Sequence, residues 1–391
     1  MGQNSQGGNA RVLGAIKMKK ILVIDTGFLI GNNRTPVISK IKHWQSKSAK
    51  VSVLTTKEAE INYRKFLNNV SYISIGHSKN PGNRIVLIVE FLHRNLRAFL
   101  KIKQISSKQF STIYSLSAVL DLLIIPYALK LLGYKFTWAV VFDNTVSFNG
   151  PGNKFVRYLA YAFYRISLVL LRKADVIFVI TKELKSELAR IGFNDKKLVI
   201  TGNAVEDDLI RNIKRPSNPQ IDCLFIGRIN ETKGIYDLLE VTKIITEHKP
   251  DFSLHMMGRG DRSSETRFKN ILKKTSLDKN INLIGFKSGI EKFKIIKSSK
   301  CFLFLSPSES FGVAVLEAVC CGLPTLVYDL DVYKKLYKNR EVMMFKPGEY
   351  QQIAKKILNI MAHKKYTNPS GEKLLPKYSW NRIAQIELNK F

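Results

Sequence analysis

Short apolar runs alternate along this chain with longer stretches in which apolar side chains recur every three or four positions. The first pattern suits strands and the second helices, so the alternation predicts βα units assembling into parallel sheets. Seven runs fill the first half: KKILVID (19–25), KVSVLTT (50–56), VSYISI (70–75), TIYSL (112–116), WAVVFD (138–143), DVIFVIT (175–181) and KLVITGN (197–203). They are apolar on both faces, as strands covered by helices on each side must be. The pattern then breaks across 206–220, where Pro216, Ser217, Asn218 and Pro219 fall together, and a linker is expected there. A second series follows: IDCLFIGR (221–228), FSLHMMG (252–258), INLIG (281–285), CFLFLSP (301–307) and PTLVYD (324–329). Both halves read as doubly wound α/β sheets, and two such sheets side by side leave a cleft along the C-terminal ends of their strands.

Length agrees with two domains, since 391 residues exceed one ordinary core. Charge adds something the pattern does not show. Sixty-three Lys and Arg against 31 Asp and Glu leave a net +32, which favours an anionic partner: phosphates, nucleic acid or an acidic membrane surface. A lysine-rich coding bias is the competing explanation. The excess concentrates in two apolar stretches. Residues 84–142 carry eight Lys or Arg against Glu90 and Asp121, and NKFVRYLAYAFYRISLVLLRK (153–173) carries five bases and no acid. A helix with Arg157, Arg165, Arg172 and Lys173 among Tyr and Phe suits an anionic membrane surface as well as it suits a half-buried position with a solvated edge.

The four cysteines, Cys223, Cys301, Cys320 and Cys321, show no CxxC spacing and no neighbouring His cluster, so neither zinc nor a disulfide framework is expected. A reduced, cytoplasmic compartment fits them. Residues 1–17 are polar and Gly-rich without an apolar segment, and are expected to be a disordered extension ahead of a more natural start at Met18. No apolar run is long enough to span a bilayer; the nearest, Ala118 to Leu132, is interrupted by Asp121, Pro126 and Lys130.

The densest chemistry lies in ESFGVAVLEAVCCGLP, from Glu309 to Pro324, which follows an apolar strand and opens a helix. Free N–H groups at a helix start, aided by the dipole, make an anion site, here at Ser310, Phe311, Gly312 and Val313. Glu309 precedes that start and Glu317 lies two turns on. An acid at the mouth can accept from hydroxyls of a ligand seated there, and paired ribose hydroxyls suit a carboxylate. Two acids near a helix start also occur as capping and solvated surface.

The Glu-x7-Glu spacing, with Ser-Phe-Gly after the first acid and Glu-Ala and Gly-x-Pro after the second, resembles the family 4 glycosyltransferases of the two-domain GT-B architecture. The resemblance implies that Glu309 contacts a donor sugar and Glu317 the ribose of a nucleotide-diphosphate sugar. FIGRINETKG (225–234) resembles the family's Gly-Arg-x4-Lys-Gly element, which makes Gly227 part of the donor site and Arg228 and Lys233 a clamp on the donor diphosphate. Two cations there neutralise charge that builds on a leaving group, a task a metal ion performs elsewhere. MGRGD (257–261) resembles a glycine turn beneath the nucleotide, with Gly258 and Gly260 in place and Arg259 where the family carries an acid. NLIGF (282–286) resembles the segment whose backbone reads the base, at Ile284, Gly285 and Phe286.

In the first half the resemblance is architectural. DTGFLIGN (25–32) resembles a loop that approaches the reaction centre through Gly27 and Gly31. At the strand end where many members carry His, this chain offers Asp143 and Asn144. TGNAVEDD (201–208) resembles the hinge strand, with Ala204 replacing a glycine. SWNRIAQIELNKF resembles a terminal helix that crosses back to the first domain.

The organisation expected is therefore a first, acceptor-side domain over 18–205, the linker, a donor-binding domain over 221–375, and a terminal helix over 376–391. The function implied is retaining, metal-independent hexosyl transfer from a nucleotide sugar to a hydroxyl, on an acceptor glycan or lipid-linked saccharide at the cytoplasmic face of the membrane. No cofactor and no metal are expected. A sugar-nucleotide epimerase of the same fold is the nearest alternative. A phosphorylase would need a pyridoxal-phosphate lysine, for which no motif is present. A nucleic-acid-binding protein would need a recognition module such as RNP1, and none appears, so no nucleic-acid partner is expected.

Overall fold

The computed structural model describes residues 18–26, 35–78, 84–146, 148, 154–338, 340–364 and 367–391. Residues 1–17, and with them the expected extension, lie outside that set, as do Gly27 and Gly31.

Every run of the first series forms a strand: β1 Lys20–Asp25, β2 Lys50–Thr55, β3 Ser71–Ser74, β4 Thr112–Ser115, β5 Thr137–Phe142, β6 Val176–Val179 and β7 Leu198–Ile200. They pair in parallel in the order β3-β2-β1-β4-β5-β6-β7. Burial explains the continuous apolar runs. From Ile21 to Asp25 every residue of β1 is buried, because helices cover both faces of the sheet. On one face Ile21, Val23 and Val53 pack with Val37, Ile41 and Trp44 of the helix Thr35–Ser46. On the other, Leu22, Ile24 and Leu54 pack with Ile102, Ile105, Leu122 and Ile125.

The second sheet contains β8 Ile221–Ile226, β9 Leu254–Met257, β10 Ile281–Gly285, β11 Ser299–Phe304, β12 Thr325–Tyr328 and β13 Met343–Phe345. It too is parallel, in the order β10-β9-β8-β11-β12-β13. The three-residue β13 extends a sheet for which the apolar pattern marks only five strands. In both sheets the order reverses once, between β1 and β4 and between β8 and β11. The crevice beyond the C-terminal ends of such a strand pair is where open α/β sheets bind ligands.

The chain crosses between the sheets twice, and the crossings touch. Val205 N donates to Tyr378 O at 2.8 Å, and Val205 pairs with Ser379 as an isolated parallel bridge. Between the crossings and β8, the polar stretch 206–220 carries the short helix Asp207–Asn212, with Ile210 buried. After the second crossing Ser379 caps the helix Trp380–Leu388 by accepting from Arg382 N. That helix lies on Thr35–Ser46, placing Ala384 and Leu388 in the core of the first domain. A buried polar cluster fixes it there. Lys40 Nζ is 2.7 Å from Glu387 Oε1, which also accepts from Tyr114 Oη at 2.8 Å, and Trp44 Nε1 donates to Ala384 O at 3.1 Å.

All four cysteines are free thiols in the core. No helix among the described residues is long and apolar enough to cross a membrane.

Candidate functional site

The order reversal in the second sheet sets the loop after β8 beside the loop after β11. Gly227, Arg228 and the 3-10 turn Glu231–Lys233 leave β8; Ser306 to Gly312 leave β11. The loops are pinned together, since Ser306 Oγ donates to Thr232 O at 3.2 Å and a Cβ on Gly234 would strike Leu305 O. Across this seam Lys233 Nζ reaches Glu309 Oε1, an ion pair whose side chains are four-fifths or more buried. Two residues 76 apart in sequence, expected to hold a diphosphate and a sugar, thus hold each other.

Arg228 is exposed at the same edge, and its guanidinium has no partner among the described residues. The helix Val313–Cys320 begins at Gly312 in the left-handed region (φ 77°), with no side chain capping its first amides. A Cβ on Gly312 would lie 2.8 Å from the Tyr333 ring and hydroxyl packed beneath. The site therefore combines an unpaired guanidinium, an ammonium on a carboxylate and uncapped amides, a set suited to a doubly charged anion.

Backbone bonds join the neighbouring strand ends into a floor. Gly227 N donates to Met257 O at 3.0 Å, Gly258 N to Gly285 O at 2.9 Å, and Ile229 N to Arg259 O at 3.2 Å. Gly258 permits this closeness: at φ 149° a Cβ would sit 1.8 Å from Gly227 O. Gly260 lies on Ile229 O in the same way, and its amide is held by Glu265 Oε1 at 2.7 Å. Ile284 is half-buried at the end of β10, and Phe286 follows it, 47% exposed, an aromatic face with room for a planar ring.

Other expected residues take different positions. Phe311 turns its side chain into the core, 6.3 Å edge-on to Tyr378, so only its backbone borders the helix start. Ser310 is exposed and Val313 half-buried. Glu317 is buried and pairs with a lysine other than Lys233. Its Oε1 accepts from Lys292 Nζ at 2.6 Å, and Glu206 Oε1 lies 3.7 Å from the same ammonium. Burial works against the Lys292 cation, but Glu317 and then Glu206 outweigh it and hold its pKa above the ordinary lysine value. Glu206 is shifted up, first by burial, with Lys292 opposing and Glu317 adding to the shift.

Asp143 follows β5 at the corresponding edge of the first sheet. It keeps an exposed edge, yet surrounding protein raises its carboxyl above the usual range, while a hydrogen bond from Ser117 Oγ at 3.0 Å opposes the rise. No described contact joins it to the residues of the second domain.

Three residues that sequence reasoning does not single out belong to the site: Lys292, Glu206 and Tyr333. The Tyr333 hydroxyl is sealed beneath Gly312 without a hydrogen-bond partner, and burial, then the charge of Glu309, push its pKa well above the ordinary tyrosine value.

The first domain adds an apolar surface. Val89, Leu92, Leu96 and Phe99 are exposed at helical spacing on Arg84–Phe99, and Tyr158, Ile166 and Val169 are exposed on Lys154–Leu171. Phe91 and Phe163 stack at 5.2 Å, so these helices are neighbours. A groove of about 650 Å³ beside the second helix begins at Thr145 and Val146, next to Asp143, and is lined by Tyr161, Tyr164, Arg165 and Arg172.

Known proteins share both the fold and the motif-bearing half. The model of the glycosyl transferases group 1 matches residues 206–373. An uncharacterized glycosyltransferase of Methanocaldococcus jannaschii is 29% identical over 44% of this chain and 42% of its own length. The phosphatidyl-myo-inositol mannosyltransferase of Mycobacterium leprae is 26% identical over 41% of this chain and 43% of its own. The chain thus spans about half the length of the curated relatives it matches. Among solved structures, Anabaena Alr3699/HepE in complex with UDP and glucose superposes with a TM-score of 0.70 at 12% identity, over 95% of this chain and 98% of that one. That likeness establishes the GT-B fold, two parallel-sheet domains about a cleft. Residues 206–373 are thus similar to the glycosyl transferases group 1.

Proposed function

We propose that the protein transfers a sugar from a nucleotide-diphosphate sugar to a hydroxyl acceptor with retention of configuration, in the manner of the family 4 enzymes. The observation that carries this reading is the Lys233–Glu309 pair beside the unpaired Arg228 and the uncapped helix start. The incoming diphosphate draws the Lys233 ammonium to itself and frees the Glu309 carboxylate for the hydroxyls of the sugar. Arg228, Lys233 and the amides at Gly312 and Val313 then stabilise the charge that develops as the glycosidic C–O bond breaks. The leaving diphosphate oxygen takes the proton of the acceptor hydroxyl, which adds to the same face. The cations supply the charge neutralisation that the reaction requires, so no metal is invoked. Phe286 and the end of β10 receive the base, Glu317 the ribose, and Asp143 faces the reaction from the first domain.

The acceptor is a lipid-linked saccharide or glycan at the cytoplasmic membrane face. The exposed apolar side chains on Arg84–Phe99 and Lys154–Leu171, set among basic residues, support this, because such a surface suits an anionic bilayer. The groove lined by Tyr161, Tyr164, Arg165 and Arg172 adjoins that surface, and its lining includes Thr145, two residues after Asp143.

The test is transfer of labelled sugar from a panel of UDP-, GDP- and dTDP-sugars, with and without lipid-linked acceptors. Arg228→Ala and Lys233→Ala should each lower kcat by roughly 10²–10³. Transfer that survives intact in the Glu309→Gln/Glu317→Gln double variant would end the assignment. Flotation with anionic vesicles tests the membrane reading, and absence of binding at low salt would remove it.

A further inference from the structure

Glu317 does not meet the cleft as an isolated acid. Lys292, on the helix Gly289–Lys297, is buried at 9% exposure with its Nζ 2.6 Å from Glu317 Oε1. A buried ammonium is costly unless paired, and this one sits between two carboxylates. Glu317 Oε2 takes no hydrogen bond from any described residue and is not sealed from solvent. One oxygen is therefore fixed and the other is open.

We propose that Lys292 is a positioning residue for ribose recognition, holding the Glu317 carboxylate so that its free oxygen accepts from the ribose hydroxyls of the donor. This rests on the reading that the cleft holds a nucleoside diphosphate. A carboxylate on a flexible side chain loses rotamer freedom when it binds a hydroxyl pair, and Lys292 removes that freedom in advance. The same ammonium reaches Glu206 at 3.7 Å, one residue beyond the Val205–Ser379 crossing. The ribose acid and the domain junction thus share one cation, so the orientation of Glu317 depends on the chain path at the junction as well as on its own helix.

The simplest competing role for Lys292 is packing alone, and the choice of ligand separates the two. The full chain is titrated calorimetrically with UDP, GDP and ADP, with inorganic pyrophosphate, and with the 2′,3′-dideoxy form of whichever nucleotide binds. Lys292→Met should weaken that nucleoside diphosphate about 10- to 100-fold, the range of a lost charge-assisted contact. Its affinity for pyrophosphate and for the dideoxy form should stay within about twofold of the parent protein's, since neither presents the hydroxyl pair. Lys292→Arg should recover most of the loss. Equal loss toward pyrophosphate, or no loss toward the nucleoside diphosphate, overturns the proposal. If Lys292→Met does not fold, Lys292→Gln carries the same comparison. A parent protein that binds none of the nucleoside diphosphates refutes the reading of the cleft itself, and the inference falls with it. Binding by the parent with an unchanged Lys292→Met refutes the inference alone.

Discussion

The buried clasp of the terminal helix offers the sharpest energetic prediction. Lys40→Met keeps the aliphatic stem and deletes the ammonium, leaving Glu387, which is 0% exposed, with the Tyr114 hydroxyl as its donor. Removing one partner of a buried pair costs about 3–5 kcal/mol, because the remaining charge is left without compensation. The cation also lies over the Tyr114 and Trp380 rings at 5.4 and 5.5 Å, and those contacts go with it. For a unit of 150–250 residues each kcal/mol moves Tm by about 2–4 °C, so the loss should be roughly 6–20 °C. A pH series checks the sign. Burial already raises the Glu387 pKa, with Lys40 and then Tyr114 pulling it back. Removing Lys40 raises it further. A carboxyl with a raised native pKa contributes stability below its unfolded value of about 4.3 and loses it as pH rises through the native value. The deficit of Lys40→Met should therefore be widest at neutral pH and narrow toward pH 5. Lys40→Met/Glu387→Leu should be more stable than Lys40→Met, since no buried charge remains. A single variant within about 1 kcal/mol of the parent in urea denaturation, or a double variant worse than the sum of both singles, would refute the argument.

Gly258→Ala places a methyl 1.8 Å from Gly227 O, so the floor of the site must shift. A cost of about 1–3 kcal/mol and loss of nucleotide binding are expected, checked by denaturation and calorimetry. Tyr333→Phe removes a buried hydroxyl that has no partner, and should leave Tm unchanged or raise it by the equivalent of about 1 kcal/mol. A clear fall in Tm would show that the hydroxyl is satisfied in solution.

Much of the fold is legible in the sequence because strands buried on both faces must be apolar throughout. KILVID and KVSVLT announce themselves for that reason. The strand MMF of β13 does not, since three half-buried residues carry no period. The polar stretch 206–220 reads as a linker, yet a turn of helix forms where Ile210 finds a core to enter. At the site, the glycines and the Glu-x7-Glu spacing are visible because they are local. The pairings are not. Lys233 meets Glu309 because the sheet order puts β11 beside β8, and Lys292 meets Glu317 because two helices pack on one flank of that sheet. Such neighbours follow from topology, which no sequence window contains. Phe311 illustrates the converse: the motif places it correctly along the chain, and its side chain serves the core.

The two crossings at Val205 and Ser379 have a topological consequence. Because they are paired to each other as a bridge, everything between them enters and leaves the first domain through one doorway. The motif-bearing half is in this sense an insertion into a host, whose own fold is completed by the last thirteen residues of the chain after Tyr378. Away from the doorway Lys335 Nζ lies 2.6 Å from Glu183 Oε1, an exposed ion pair between insert and host that any swing about the doorway must break. The host would need only a short splice from Val205 to Ser379 to become one continuous polypeptide with its sheet and its final helix intact.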